Sequence, residues 1–391
     1  MLQKSGSKKR KTALGLYISG VIWVVLLNVI AWNSTTFCDA YIKYIFPLWV
    51  NTYGRITGIF PFSVGEILLV LGVCCVVIFA LVAAGSLVTG IYRLCRGRDY
   101  VPGKVLKGFW KASKGYSLWF VWVLLVVCTV MTLNCTILYH ASTFSRQYYG
   151  EEEEDYTLED LIRVRNMVVE KCNALSAEME RDEKGLIIYT GDIEAEAIAA
   201  MQKLGDTYDQ LDGYYPRPKP LAASDFFSQQ YIQGYYFPFS MEANYNQVMY
   251  IMNMPATLCH ELGHLRGYIF EDEANFISYL ACIQSDNKFF EYSGYLSVLN
   301  YLDNDFYAAV GKNWECYSEQ PMILPQVHED NTFLLQEEWD RINGKALIDT
   351  ETVDEISDTF TDTTLKVNGV SDGIVSYSRV VELLLWYEKN K

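Results

Sequence analysis

Residues 13–33, 67–92 and 117–139 are three apolar runs near the N-terminus, each about 20 residues or more without a charged side chain, the length a helix needs to cross the hydrocarbon core. A soluble helix of that length would carry a polar stripe, and none of these does. The chain therefore reads as a membrane protein with three transmembrane helices. Lys4, Lys8, Lys9, Arg10 and Lys11 precede the first run as they would in a signal peptide. The run is longer than a signal's apolar region, and Asn33-Ser34-Thr35-Thr36-Phe37 is a poor cleavage site, so the first run is read as a retained anchor.

Charge fixes an expected orientation. Five basic residues lie before the first run, and Arg93, Arg96, Arg98, Lys104, Lys107, Lys111 and Lys114 crowd the segment between the second and third, while Lys43 and Arg55 alone separate the first two. The positive-inside rule then puts the N-terminus in the cytoplasm and everything after Tyr139 outside it. This predicts a membrane domain, residues 1–139, followed by an extracytoplasmic domain, residues 140–391. Residues 1–116 hold 14 basic and 3 acidic side chains, which leaves 18 basic and 44 acidic in the remainder. A domain so acidic is a poor match for nucleic acid, whose phosphates need clusters of Lys and Arg. The aromatic stretch 37–66 is expected along the outer interface of the bilayer.

Two of the four histidines stand in one window, His260-Glu261-Leu262-Gly263-His264. Histidines four apart share one face of a helix, where both imidazoles can grip one Zn²⁺ while the glutamate between them acts on a water. A catalytic zinc takes three protein ligands and leaves one position open. The third is sought in Glu271-Asp272-Glu273-Ala274-Asn275: Glu271 is preferred because Asn275, one turn on, can steady a histidine, and Glu273 is the alternative. Glu261 is the expected general base, and Tyr377 and Arg379 are possible transition-state donors. Phe270 occupies the place of the third histidine in the metzincin pattern HExxHxxGxxH, which argues against that group.

Around this motif the chain reads mainly as helix. Thr157-Leu158-Glu159-Asp160 has the form of a capping box, with aspartate for the usual glutamate, before a helix over 158–181. Arg165 interrupts its apolar stripe and is expected to lay its stem on the core with its charge in water. A second helix is expected over 193–211, extended segments over 230–236 and 245–250, and a metal-binding helix from about Pro255 that Gly267 ends. The segment 234–246 is the candidate edge strand for substrate. The acidic run 151–155 reads as a solvated lead-in to the 158–181 helix. The ten cysteines contain no CxxC pair, and disulfides among those beyond the spans are open.

HELGH followed by Glu-x-x-Ala-Asn resembles the gluzincin peptidases, which implies Glu271 as third ligand. The whole layout is similar to a bacterial family of three-span membrane proteins known only as a domain of unknown function. The stretches that carry this likeness are TGIFPFSVGE, FPFSMEANYN, HELGH with EDEANF, and LKVNGVSDGIVSYSRVV. The expectation is a mainly α chain: three N-terminal transmembrane helices and an extracytoplasmic, zincin-like α+β domain that hydrolyses peptides or proteins at the cell envelope with Zn²⁺. The competing expectation is a non-catalytic envelope binding or sensor protein on the same fold.

Overall fold

The computed structural model describes residues 2–97, 101–150, 156–371, 373 and 379–391. Tyr377 and the acidic run 151–155 lie outside them. The architecture is mainly helical with one small sheet. Three helices are long and apolar enough to cross a bilayer, over Lys11–Asn33, Val64–Cys95 and Lys104–His140. The first lies within α1 (Leu2–Asn33) and the second is α3 (Val64–Cys95). The third is α4 (Lys104–Met131), prolonged by a π-helical turn and a short 3₁₀ turn.

Between the first two long helices the chain does more than lie on a surface. Helix α2 (Thr35–Tyr44) and the short turns after it bury Cys38, Tyr41, Ile42, Phe46 and Val50 in the same hydrophobic core that holds the histidine motif. The opposite face is left apolar and exposed, including Leu48, Ile56, Ile59, Phe60 and Phe62. An interfacial reading of 37–66 thus covers one face only. Lone aromatic residues in the sequence do not reveal that a partner will cover the other.

The remainder is a helical bundle. Helix α5 (Leu158–Ser176) starts with the expected capping box: Thr157 Oγ1 accepts from the Asp160 amide, and the Asp160 carboxylate accepts from Thr157. Leu158, in its first turn, is exposed. Arg165 corrects its expectation more strongly. It is fully buried, and its guanidinium donates to Asp303 at 2.7 and 3.0 Å, to Tyr317 at 3.1 Å and to Pro321 O at 2.5 Å. That set of acceptors offsets the loss of water. Helix α6 (Ile193–Gly205) is capped by Asp192. Helices α7 (Met254–His264), α8 (Glu271–Ile283) and α9 (Lys288–Ala309) follow, and α10 (Val380–Asn390) closes the bundle. All ten cysteines are free thiols.

The sheet has the order β1-β3-β2, with β1 (Lys219–Pro220) parallel and β2 (Gly234–Phe237) antiparallel to β3 (Glu242–Tyr245). Strand is absent over most of 245–250, contrary to the sequence reading. Asn246 turns its side chain onto Ser228 Oγ and Ile232 O and accepts from the Val248 amide, an Asx turn that ends the strand. Glu242, 1% exposed, reaches from β3 to the first turn of α3 and accepts from the amides of Val64 at 3.2 Å and Gly65 at 2.8 Å. Lys219 from β1 pairs with that carboxylate and donates to Thr57 O at 2.7 Å. Breaking a buried pair of this kind costs about 3–5 kcal/mol, and the same carboxylate ties the sheet to the second long helix through the Val64 and Gly65 amides.

Candidate metal centre

Helix α7 carries the motif. Pro255 stands in its first turn, where a missing amide costs nothing, and Leu258, Cys259 and Leu262 are buried. The helix stops at His264, and Gly267 adopts φ +94° with Ile42 packed against it. A side chain there would meet Ile42 Cγ2 at 2.7 Å, so glycine is required by space as well as by conformation. The chain then returns directly into α8, which begins at Glu271.

This turn gathers three donor groups. Glu271 Oε2 lies 2.9 Å from His260 Nε2 and 3.8 Å from His264 Nε2, and the two imidazole rings stand perpendicular with centroids 4.6 Å apart. The other ring nitrogens are occupied. His264 Nδ1 lies 2.7 Å from Tyr268 O and His260 Nδ1 lies 2.9 Å from Asn275 Oδ1. A backbone carbonyl can only accept, so Nδ1 of His264 carries the proton and its Nε2 presents a lone pair. Asn275 Oδ1 accepts from Nδ1 of His260 in the same way, and the Nε2 of that ring faces the Glu271 carboxylate.

Glu261 is 4% exposed, and one ligand atom each from His260, Glu261 and His264 falls within 4.8 Å of the others. Burial pushes the Glu261 carboxyl up to about 8, with His260 opposing. Burial also pulls His264 down to about 4, so it is neutral near pH 7, the form that binds metals. At His260 burial acts downward as well, but the Glu271 carboxylate outweighs it and the group is raised. Glu261 Oε2 is buried with no hydrogen-bond partner among the described residues.

The remaining sequence candidates lie elsewhere. Glu273 is held by the Ser145 amide at 3.0 Å and the Ser145 hydroxyl, just beyond the third long helix. Burial raises its carboxyl to about 7 while these donors oppose the rise. Arg379 pairs with Asp272 at 3.2 Å, tying the start of α10 to the first turn of α8. His328 is exposed, and His140 packs against Trp32 with ring centroids 4.3 Å apart.

Of the segment 234–246 expected to be an edge strand, only β2 lies at the edge, since β3 is the central strand. A Cβ at Gly234 would overlap Glu261 Oε1 and meet its Cγ at 2.7 Å, so the glutamate side chain rests directly on the strand. The Asn246 amide donates to Gln233 O at 2.7 Å, and antiparallel alternation from that pair turns the backbone groups of Gly234 and Tyr236 away from β3, where the Tyr236 amide donates to the Glu261 carboxylate. Three tyrosines from distant segments stand within electrostatic reach of the two glutamates: Tyr235 near Glu261, and Tyr139 and Tyr301 near Glu271. Tyr235 lies within the 234–246 segment expected to bind substrate, whereas nothing in the local sequence marks Tyr139 or Tyr301.

Fold and site together define a mainly helical protein with three bilayer-length helices and a buried His/Glu cluster beside a small sheet. Residues 41–385 match the family described as "Protein of unknown function (DUF3810)", and the chain belongs to that family. No curated protein and no solved structure matches it.

Proposed function

We propose that this chain is a membrane-anchored zinc metallopeptidase, with Zn²⁺ held by His260, His264 and Glu271 and with Glu261 as general base. The observation that carries the reading is the meeting of one carboxylate oxygen with two Nε2 atoms whose Nδ1 partners are already engaged. Two imidazoles and a carboxylate are a common donor set for catalytic zinc, and the unpartnered Glu261 Oε2 fits a site built to receive something further. When bound there, zinc supplies Lewis acidity that polarises a carbonyl and acidifies water. Glu261 takes the proton from the attacking water and delivers it to the leaving nitrogen. The backbone of Gly234 and the carbonyl of Tyr236, turned away from β3, pair an extended peptide beside that carboxylate.

The distribution of basic residues supports an N-terminus in the cytoplasm and a site outside it. Purified protein should carry about one zinc per chain, and hydrolysis of an unfolded protein reporter should stop with a chelator and return with added Zn²⁺. Protein that binds no zinc, or that cleaves equally in chelator, would overturn the proposal.

Two substitutions test the supports. Asn275→Ala removes the acceptor on His260 and should weaken zinc binding by about 10–100-fold, read by competition with a chromophoric chelator. Gly234→Ala drives a methyl group into Glu261 and should lower kcat by about 100-fold with zinc content unchanged.

A further inference from the structure

The position of the site relative to the long helices carries one more inference, which rests on the peptidase reading. Strand β2 is fixed at both ends. At its first residue, Gly234, it supports Glu261. At its last, Phe237, it covers Gly65 in the first turn of α3, where an added Cβ would meet the Phe237 ring at 2.8 Å. The uncharged stretch of α3 begins at Ile67, directly after Glu66, so this turn marks the edge of the apolar slab. Three residues of strand span about 10 Å, which is the most that can separate that edge from the strand residue under Glu261.

Further contacts hold the same strand and the site against the ends of the long helices. Asn134, in the third long helix, donates to Pro238 O at 2.9 Å, and the Tyr236 hydroxyl donates to Asn134 O at 3.3 Å. Tyr139, at the end of that helix, packs edge-on against Phe270, the residue before Glu271, at 5.6 Å. Tyr235 shares a small cavity with Glu66 and Leu69 of α3. On the same side, the exposed face formed by Leu48, Ile56, Ile59, Phe60 and Phe62 forms an apolar collar continuous with the start of α3. Its occupant is lipid, because the collar joins two helices that are themselves apolar on all sides.

We propose that the substrates are membrane-anchored polypeptides, cut within the first few residues outside the bilayer. An extended chain covers about 3.3 Å per residue, so a site within about 10 Å of the slab meets a tethered substrate within about the first six residues beyond its anchor. A segment that leaves the bilayer beside α3 emerges next to β2, whose last residue packs on the first turn of that helix.

The protein is reconstituted in phosphatidylcholine–phosphatidylglycerol vesicles with a single-span peptide whose exposed stretch is unstructured, and cut positions are read by mass spectrometry. Cuts should cluster in that first short segment. Inserting a rigid ten-residue spacer after the anchor should leave the distance from the bilayer unchanged while the cut residue changes. Cuts that follow the sequence through the spacer, or equal cleavage of the same stretch without its anchor, would overturn the proposal. Zinc-loaded protein that cleaves neither peptide, or a Glu261→Gln variant that cleaves as well as the parent, would overturn the peptidase reading beneath it. A readout independent of activity is a nitroxide at Tyr235→Cys, with the exposed cysteines replaced by serine. Relaxation by lipid-soluble oxygen over aqueous nickel chelate supports the interfacial placement, and the reverse order rejects it.

Discussion

Glu261→Gln is expected to retain about one zinc per chain and to lose peptide hydrolysis by about 10²–10⁴-fold, the usual contribution of a positioned general base. The substitution keeps the shape of a side chain that lies against Gly234 and is almost fully buried. It breaks no hydrogen bond at Oε2, which has no partner among the described residues, so the thermal transition should stay close to that of the parent. A fall in kcat at saturating zinc with unchanged unfolding then reports proton transfer alone. If the variant hydrolyses the reporter at the parent rate, Glu261 is not the base.

The second large effect separates two glutamates that lie two positions apart. Glu271→Ala should leave less than about a tenth of a zinc per chain, because it removes the one carboxylate oxygen that faces both Nε2 atoms. Glu273→Ala should keep the metal and lower stability by about 1–3 kcal/mol, since it strands the buried donors of Ser145. Metal content after dialysis, read beside urea unfolding, checks both. If the two variants exchange outcomes, the ligand assignment is wrong.

These residues also show which parts of the architecture can be read from the chain alone. The histidine pair, the Thr157–Asp160 capping box and the left-handed Gly267 depend on spacings of a few residues, and each has a local pattern. Glu271 and Glu273 could not be separated by distance along the chain. Two positions on a helix differ by about 200°, so one faces the histidines and the other Ser145, and the phase of α8 is set by its packing. Arg165 misleads for a related reason: its acceptors, Asp303 and Pro321 O, lie 138 and 156 residues away. Gly234 opens the segment expected to bind substrate, but its support of Glu261 depends on how that strand is laid against α7. The aromatic stretch after the first long helix offers a lipid-facing side to sequence reasoning, whereas its buried side depends on residues more than 200 positions downstream.

The contact between Glu242 and the start of α3 also sets an order in time. The amides of Val64 and Gly65 emerge from the ribosome 178 and 177 residues before the carboxylate that receives them. At about 5–20 residues per second, the second long helix waits about 10–35 s for that partner. During the wait the surface of α2 that will meet Gly267 is bare as well. Assembly of the site therefore finishes only after both early long helices have been made, and the last segments to be synthesised complete a membrane-side half that was made first.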